Sequence, residues 1–276
     1  MKNKINKVKI LIIFFIAVCI GVILSSRVAR AQDFDYQQAF KDYQYNYDLY
    51  NRLHDDYRLS RARYMQYKTL VSEEEAKKTT LAMLQARDDT IRTYLTALRL
   101  RVMESPGLSE SEKESVYKRI DPEVAYIEDH KEKLTSVGSL DDFAKDSDEA
   151  KEQYGFSTEN VIYNTLVNIS VGNTAHKRSQ MEEIISALRS KVTEIKGEGD
   201  KDVSFIDGFF VEINNKLERS RDKEISALDI IMGSEKSNKN KVDYYNDAIG
   251  SVQQSYLYIK ETASYLKEII RLIKTK

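Results

Sequence analysis

The strongest constraint on this chain lies between Phe34 and Val71. Tyr36, Tyr43, Tyr50, Tyr57 and Tyr64 fall seven residues apart, and Val71 continues the series. Seven residues are just under two helical turns, so these side chains line one face of an α-helix. A strict seven-residue apolar repeat predicts left-handed winding against a partner helix. Phe40 and Tyr47 supply the interleaved position of the first two repeats; His54, Arg61 and Lys68 then take that register, with Leu53 and Tyr67 one residue earlier. The seam is regular at its start and drifts later. Its rings either pack on the next helix with hydroxyls at the rim, or form an exposed ladder that grips another chain, a glycan or a peptide.

The rest of the chain repeats at helical spacing. A first helix is expected over 34–70. Ser72 followed by Glu75 reads as a capping box for a second helix over 73–104. There Leu81, Leu84, Ile91, Leu95, Leu98 and Val102 recur, and Asp88 is the one charged break in the register. So short a connection predicts an antiparallel hairpin, each arm on the order of 50 Å long. Ser105-Pro106-Gly107 stops the second helix. Two short helices are expected in a connector over 105–138: one from 110 to 119 capped by Ser111 with Glu114, the other opened by Asp121-Pro122.

Ser139 caps a further start, and the apolar pattern runs to Val171, with Gly155 marking a kink or break. Gly172-Asn173-Thr174 reads as a turn and cap before a helix over 174–196. Gly197-Glu198-Gly199-Asp200 reads as a loop. A helix over 201–232 follows, with a charged, solvated middle from Arg219 to Glu224. The last helix, 240–274, repeats cleanly: Tyr245, Val252, Ile259, Leu266 and Ile273 are seven apart, with Ile249, Tyr256, Ala263 and Ile270 between them. The expected fold is all-α: a long antiparallel helical hairpin with coiled-coil-like heptads (32–104), the connector, and a C-terminal up-and-down helical bundle (139–276) that the hairpin docks on or projects from.

Residues 1–31 form a targeting segment. Lys2, Lys4, Lys7 and Lys9 precede an apolar run from Ile10 to Leu24, and Ala29-Arg30-Ala31 is the small-x-small pattern of a signal-peptidase site, predicting cleavage before Gln32. Arg27 and Arg30 after the run, and its near-spanning length, keep an uncleaved anchor over 10–26 as the alternative. Either way the basic start stays inside and the remainder is exported, to be secreted or held at the cell envelope. The one cysteine, Cys19, lies mid-run behind Val18, which argues against a lipidation site; once the segment is cleaved, no disulfide or thiol chemistry remains. The segment carries six of the 43 basic residues and no acidic one, so without it 37 basic residues face 44 acidic ones, a net of −7. Interspersed charge of that sign predicts a soluble surface and no nucleic-acid binding.

Catalytic and metal signatures are missing from the sequence. None of His54, His130 and His176 follows a Glu by three residues or forms His-Glu-x-x-His, and each is expected at the surface or rim. There is no phosphate-cradling glycine loop and no nucleophile elbow. The Gly197–Asp202 region lacks the alternating acidic ligands of a calcium loop. Asp55-Asp56, Asp88-Asp89 and Asp141-Asp142 are adjacent pairs whose members diverge by about 100° on a helix, so they read as caps and solvated faces. Asn168-Ile169-Ser170 is a glycosylation sequon inside an expected helix. The basic, amphipathic Leu266–Lys276 continues the preceding seam and is expected in the core.

These features point to a non-enzymatic exported protein without cofactor or metal. It would act through a protein partner or self-association along its helical seams, touching membrane only through its N-terminal segment. An extracytoplasmic ligand-binding or sensor bundle is the alternative, requiring a concave, mostly apolar pocket with converging polar groups. An envelope-polymer hydrolase is a third, requiring two carboxylates about 5–9 Å apart across a cleft.

Overall fold

The computed structural model describes residues 35–198, 205–234 and 240–275. The expected signal cleavage at Ala29, Ala31 and Gln32 lies outside them. The fold is all-α, and among the described residues there is no strand. Among the described residues seven α-helices follow in order: α1 (Tyr36–Tyr67), α2 (Leu70–Met103), α3 (Glu110–Leu134), α4 (Leu140–Gln153), α5 (Glu159–Glu198), α6 (Ile206–Gly233) and α7 (Lys241–Thr275). A five-residue π-helical segment, Tyr154–Thr158, joins α4 to α5.

The hairpin of α1 and α2 forms as expected, but its bend is set three residues earlier. Lys68 takes a left-handed conformation, φ 49°, which ends α1. The cap is Thr69, not Ser72: Ser72 N donates to Thr69 Oγ1 at 3.2 Å and Thr69 N donates to Ser72 Oγ at 3.0 Å. Ser72 is therefore the far member of the box rather than its start. Val71 lies in the first turn of α2, 78% exposed, and does not extend the tyrosine seam. At the open end, Tyr36 N donates to Glu104 Oε1 at 2.9 Å and ties the two arms together.

The connector holds one helix, not two. α3 runs through Pro122. Asp121, expected as a cap, instead pairs with Arg99 of α2 at 2.8 Å. The cap is Ser109 with Glu112, not Ser111 with Glu114. Packing explains the continuity: Val116, Ile120, Ile127 and Leu134 are buried along a single stripe of α3, and a missing N–H in mid-helix is tolerated when both sides gain such burial.

The expected break at Gly155 is present as the π segment. Glu159 N donates to the carbonyl of Tyr154, closing the wide turn. The Lys241 ammonium donates to the carbonyls of Gly155 and, at 3.1 Å, Phe156, taking up groups that such a turn frees. The expected turn at Gly172-Asn173-Thr174 is absent; α5 continues through it as 40 residues. Gly172 serves close approach instead: the Gly107 backbone rests against it, and a Cβ on Gly172 would meet Leu108 Cδ2 at 2.8 Å. The C-terminal half therefore has three long helical runs rather than four.

Four sets of buried side chains hold the described residues together; one, Met83, Leu84, Leu134 and Phe143, lies beneath the hairpin. Leu95, Leu98 and Val102 of α2 share one core with Val116 and Ile120 of α3 and Val161, Ile162 and Ile169 of α5. Val167 and Val171 of α5 face the other way, onto Ala227 and Ile231 of α6 and Ala248 and Val252 of α7. Farther along, Ile185, Val192 and Ile195 of α5 close a three-helix core with Ile213, Leu217, Leu266 and Ile269. The first half of α5 is thus buried on two sides and docks the hairpin on the bundle. Each fully buried Leu or Ile contributes about 1.5–3 kcal/mol before entropy is counted.

The α7 seam keeps its expected main line at Val252, Ile259 and Leu266, but the interleaved line differs. Ala248, Ser255, Thr262 and Ile269 are the buried members, while Tyr256 and Ile270 are 39% and 37% exposed. Polar Ser255 and Thr262 are accommodated by hydrogen bonds, to Ser220 Oγ at 2.8 Å and to the Tyr258 carbonyl at 3.1 Å.

Candidate functional site

The five seam tyrosines, Tyr36, Tyr43, Tyr50, Tyr57 and Tyr64, are all half-buried along the inner side of the hairpin. Tyr43 packs on Tyr94 of α2 with centroids 5.0 Å apart. Tyr50 and Tyr57 rest on a core of Met83, Leu84, Leu134 and Phe143. Arg101 sits over the Tyr36 ring at 5.1 Å. The seam is internal packing. What the hairpin leaves open lies off the seam: Tyr45 is 64% exposed, and Met65 and Tyr67 of α1 with Leu70 and Val71 of α2, grouped around the bend, are 62–78% exposed.

The chemistry concentrates elsewhere, where α2 crosses α3 and α4. Asp88 falls between Leu84, Ile91 and Leu95 on the apolar stripe of α2, so the helix turns it inward. It is 1% exposed, which overturns the solvated reading of this carboxylate. His130 follows Ile127 and precedes Leu134 on the inner stripe of α3, and it too is buried rather than at the rim. Its Nδ1 lies 2.6 Å from Asp88 Oδ2. A carboxylate oxygen only accepts, so Nδ1 donates. Tyr126 stacks on the imidazole. His130 Nε2 is buried without a hydrogen-bond partner, so no hydroxyl is joined to the pair in the manner of a hydrolytic triad. The adjacent pair does diverge as expected: Asp89 turns outward to Lys131 at 2.7 Å.

Arg87 completes the group. Its Nε faces Asp88 Oδ1 at 3.4 Å and its Nη1 donates to Ser147 Oγ of α4 at 3.0 Å. Its Nη2 is buried with no acceptor. A buried donor left unpaired costs about 1–3 kcal/mol.

Beside Arg87 opens a pocket of about 340 Å³, within the usual range of small-ligand sites of about 300–1,000 Å³. Tyr47 and Tyr50 of α1, Ile91 of α2, Ile127 of α3 and Tyr154 of the π segment give it an apolar wall. Arg87, Asp88, Ser147 and Lys151 supply the polar side. The π segment sets Tyr154 at this wall.

Two other buried carboxylates are fully engaged. Glu123 accepts from Ser157 and, at 2.6 Å, from Thr158, fastening α3 to the π segment. Glu224 lies in the charged stretch expected to be solvated, yet is buried, pairing with Arg178 at 3.1 Å and accepting from Ser255 at 3.2 Å. Arg219 and Arg221 beside it are exposed as expected. His54 and His176 are half-buried at the rim. Asn168 of the sequon donates to the Asn164 carbonyl within α5 at 2.8 Å. Among the described residues no three His, Cys, Asp or Glu side chains group as a metal site, and no helix is long and apolar enough to cross a membrane.

No family model, curated protein or solved structure matches this chain.

Proposed function

We propose that this is an exported, non-enzymatic helical protein that acts by contact with another protein at the envelope. The closed end of the α1–α2 hairpin is its contact surface, and residues 1–31 are its signal or anchor. The observation that carries this reading is the exposure of Met65, Tyr67, Leu70 and Val71 on the two turns that flank the bend. Single exposed apolar side chains are ordinary; four on adjoining turns mark an interaction surface. A photoreactive residue replacing Leu70 in the native host tests it. The expected outcome is a discrete crosslinked species that is lost with Val71→Ser and missing when the probe replaces Lys145, which is exposed on α4. Equal yields at both positions, or none at Leu70, would sink the reading.

A second reading, a ligand-binding bundle, is favoured by the pocket beside Arg87. It has the apolar wall and converging polar groups that such a role requires.

A further inference from the structure

We propose that the surface receiving the hairpin tip is an apolar cleft in a partner protein, rimmed by carboxylates that pair with Arg61, Lys68 and Lys78. The inference rests on the reading of the tip as the contact surface and names the chemistry of what it contacts.

The cations stand around the apolar group. Arg61 lies one turn before Met65 on the same face of α1, and Lys78 lies two turns after Val71 on the same face of α2. Lys68 is in the bend between them. All three are exposed, so they flank the apolar side chains from both arms.

The carboxylates at the bend are already engaged. Glu75 pairs with Arg63 at 3.2 Å, and Glu73 and Glu74 share Lys77 at 3.0 and 3.3 Å. Arg61 opens onto a cleft that Asp141 and Asp148 of α4 also line. Among the described residues no ion pair joins Arg61, Lys68 or Lys78 to a carboxylate. From Arg61 to Lys78 five cations face three carboxylates, whereas elsewhere beyond residue 31 carboxylates outnumber cations. The tip is a basic island on an acidic chain, and an acidic rim is its complement.

Shape makes the partner concave. The tip is the end of two helices, each about 10–12 Å across. Four apolar side chains on so small a convex surface lose their water only where the partner wraps around them. A contact of this size falls at the low end of specific interfaces, where charge pairs at the rim set encounter rate and orientation.

Two other occupants fit less well. A two-fold contact between copies puts the same patch on both sides, so the three unpaired cations would meet cations. A lipid surface would have to take Leu70 and Val71 together with Glu73, Glu74 and Glu75, which follow within about one turn. Insertion would bring those carboxylates among anionic headgroups.

The test uses the photoreactive residue at Leu70 in the full chain in its host. Arg61→Glu, Lys68→Asn and Lys78→Glu are combined, asparagine being chosen because it tolerates the left-handed bend. The crosslinked species is expected to fall at least about tenfold, as two attractions become repulsions and a third is removed. Lys118→Glu, Lys267→Glu and Lys274→Asn make the same charge change at exposed positions on α3 and α7, and should leave the yield unchanged. In isolated envelopes the native crosslink should weaken between about 50 and about 500 mM salt. Circular dichroism melts of the purified variants establish that both sets fold. A crosslink that persists in the tip variant and at high salt would overturn the acidic rim and leave the tip reading standing. No crosslink at Leu70 in the native chain would overturn both. A crosslinked product made of two copies of this chain would overturn the proposal in favour of self-association. So would sedimentation with vesicles of equal parts phosphatidylglycerol and phosphatidylcholine that is lost with Val71→Ser, in favour of lipid.

Discussion

Gly107 and Gly172 touch backbone to backbone: a Cβ built on Gly107 would lie 1.7 Å from the carbonyl oxygen of Gly172. The loop after the hairpin and the middle of α5 can meet this closely only because neither residue has a side chain. Two halves of the core converge at this point, since Leu108 is packed with Val102 of α2 and Ile169 of α5.

Gly107→Ala should therefore cost at least about 3 kcal/mol, because a backbone carbonyl cannot move aside without displacing α5. Gly172→Ala should cost less. Its new methyl would meet the end of the Leu108 side chain, and helix propensity returns about 1 kcal/mol. Urea denaturation of the two variants checks the order; equal losses would mean that the contact is softer than its geometry.

Asp88 and His130 form a buried pair with Arg87 on the carboxylate's other oxygen, so removing the histidine alone should be worse than replacing the pair. His130→Ala leaves a carboxylate that is 1% exposed without its partner, and should cost about 3–5 kcal/mol. Asp88→Leu combined with His130→Phe should recover only part of that loss: two apolar groups need no pairing, but Arg87 Nε loses its carboxylate. A double-mutant cycle by chemical denaturation measures the coupling. If the double variant is as unstable as the single one, packing rather than charge pairing dominates the site.

The helices and the hairpin were legible in the sequence because periodic apolar residues are a local signal, and both long seams follow it. The site was not legible, for a reason particular to Asp88 and His130. Each sits on an apolar stripe, and residue type alone assigns a carboxylate or an imidazole to the surface. Position on the stripe was the better signal: Glu123, Ile127, His130 and Leu134 recur at spacings of four, three and four, and all four are buried. The same error placed Ile249 and Tyr256 on the α7 seam ahead of Ser255 and Thr262. Gly172 misled for the opposite reason. A glycine inside a polar triplet marks a turn in isolation, but here the requirement was close approach by Gly107, a contact between residues 65 positions apart that no local pattern encodes.

Tyr94 predicts an alkaline loss of stability. Burial, with Tyr43 next, pushes its phenol from the ordinary 10 up to about 12. Above pH 10 the unfolded chain releases this proton while the folded chain keeps it. The folded state then binds more protons, so stability falls as pH rises from about 10 towards 12. Tyr94→Phe should flatten part of that decline. A slope remains, because burial also raises Tyr43, Tyr126 and Tyr163. Urea midpoints measured across this range for both proteins test it; the same slope in Tyr94→Phe would remove Tyr94 as the cause.

The inner and outer tyrosines of α1 should separate cleanly under substitution. Tyr43 packs on Tyr94 at 5.0 Å and Tyr50 rests on the core that contains Leu84 and Phe143. Truncating both strips the inner face of a helix whose only fully buried residues are Ala39 and Ser60. Tyr43→Ala with Tyr50→Ala should therefore lower stability by a few kcal/mol, about half of what two fully buried aromatics would lose. Tyr45→Ala, at a position 64% exposed, should stay within about 0.5 kcal/mol of the native chain. Thermal unfolding of these variants separates the inner rings from the outer one. A double variant that melts with the native chain would mean that the seam holds nothing in place.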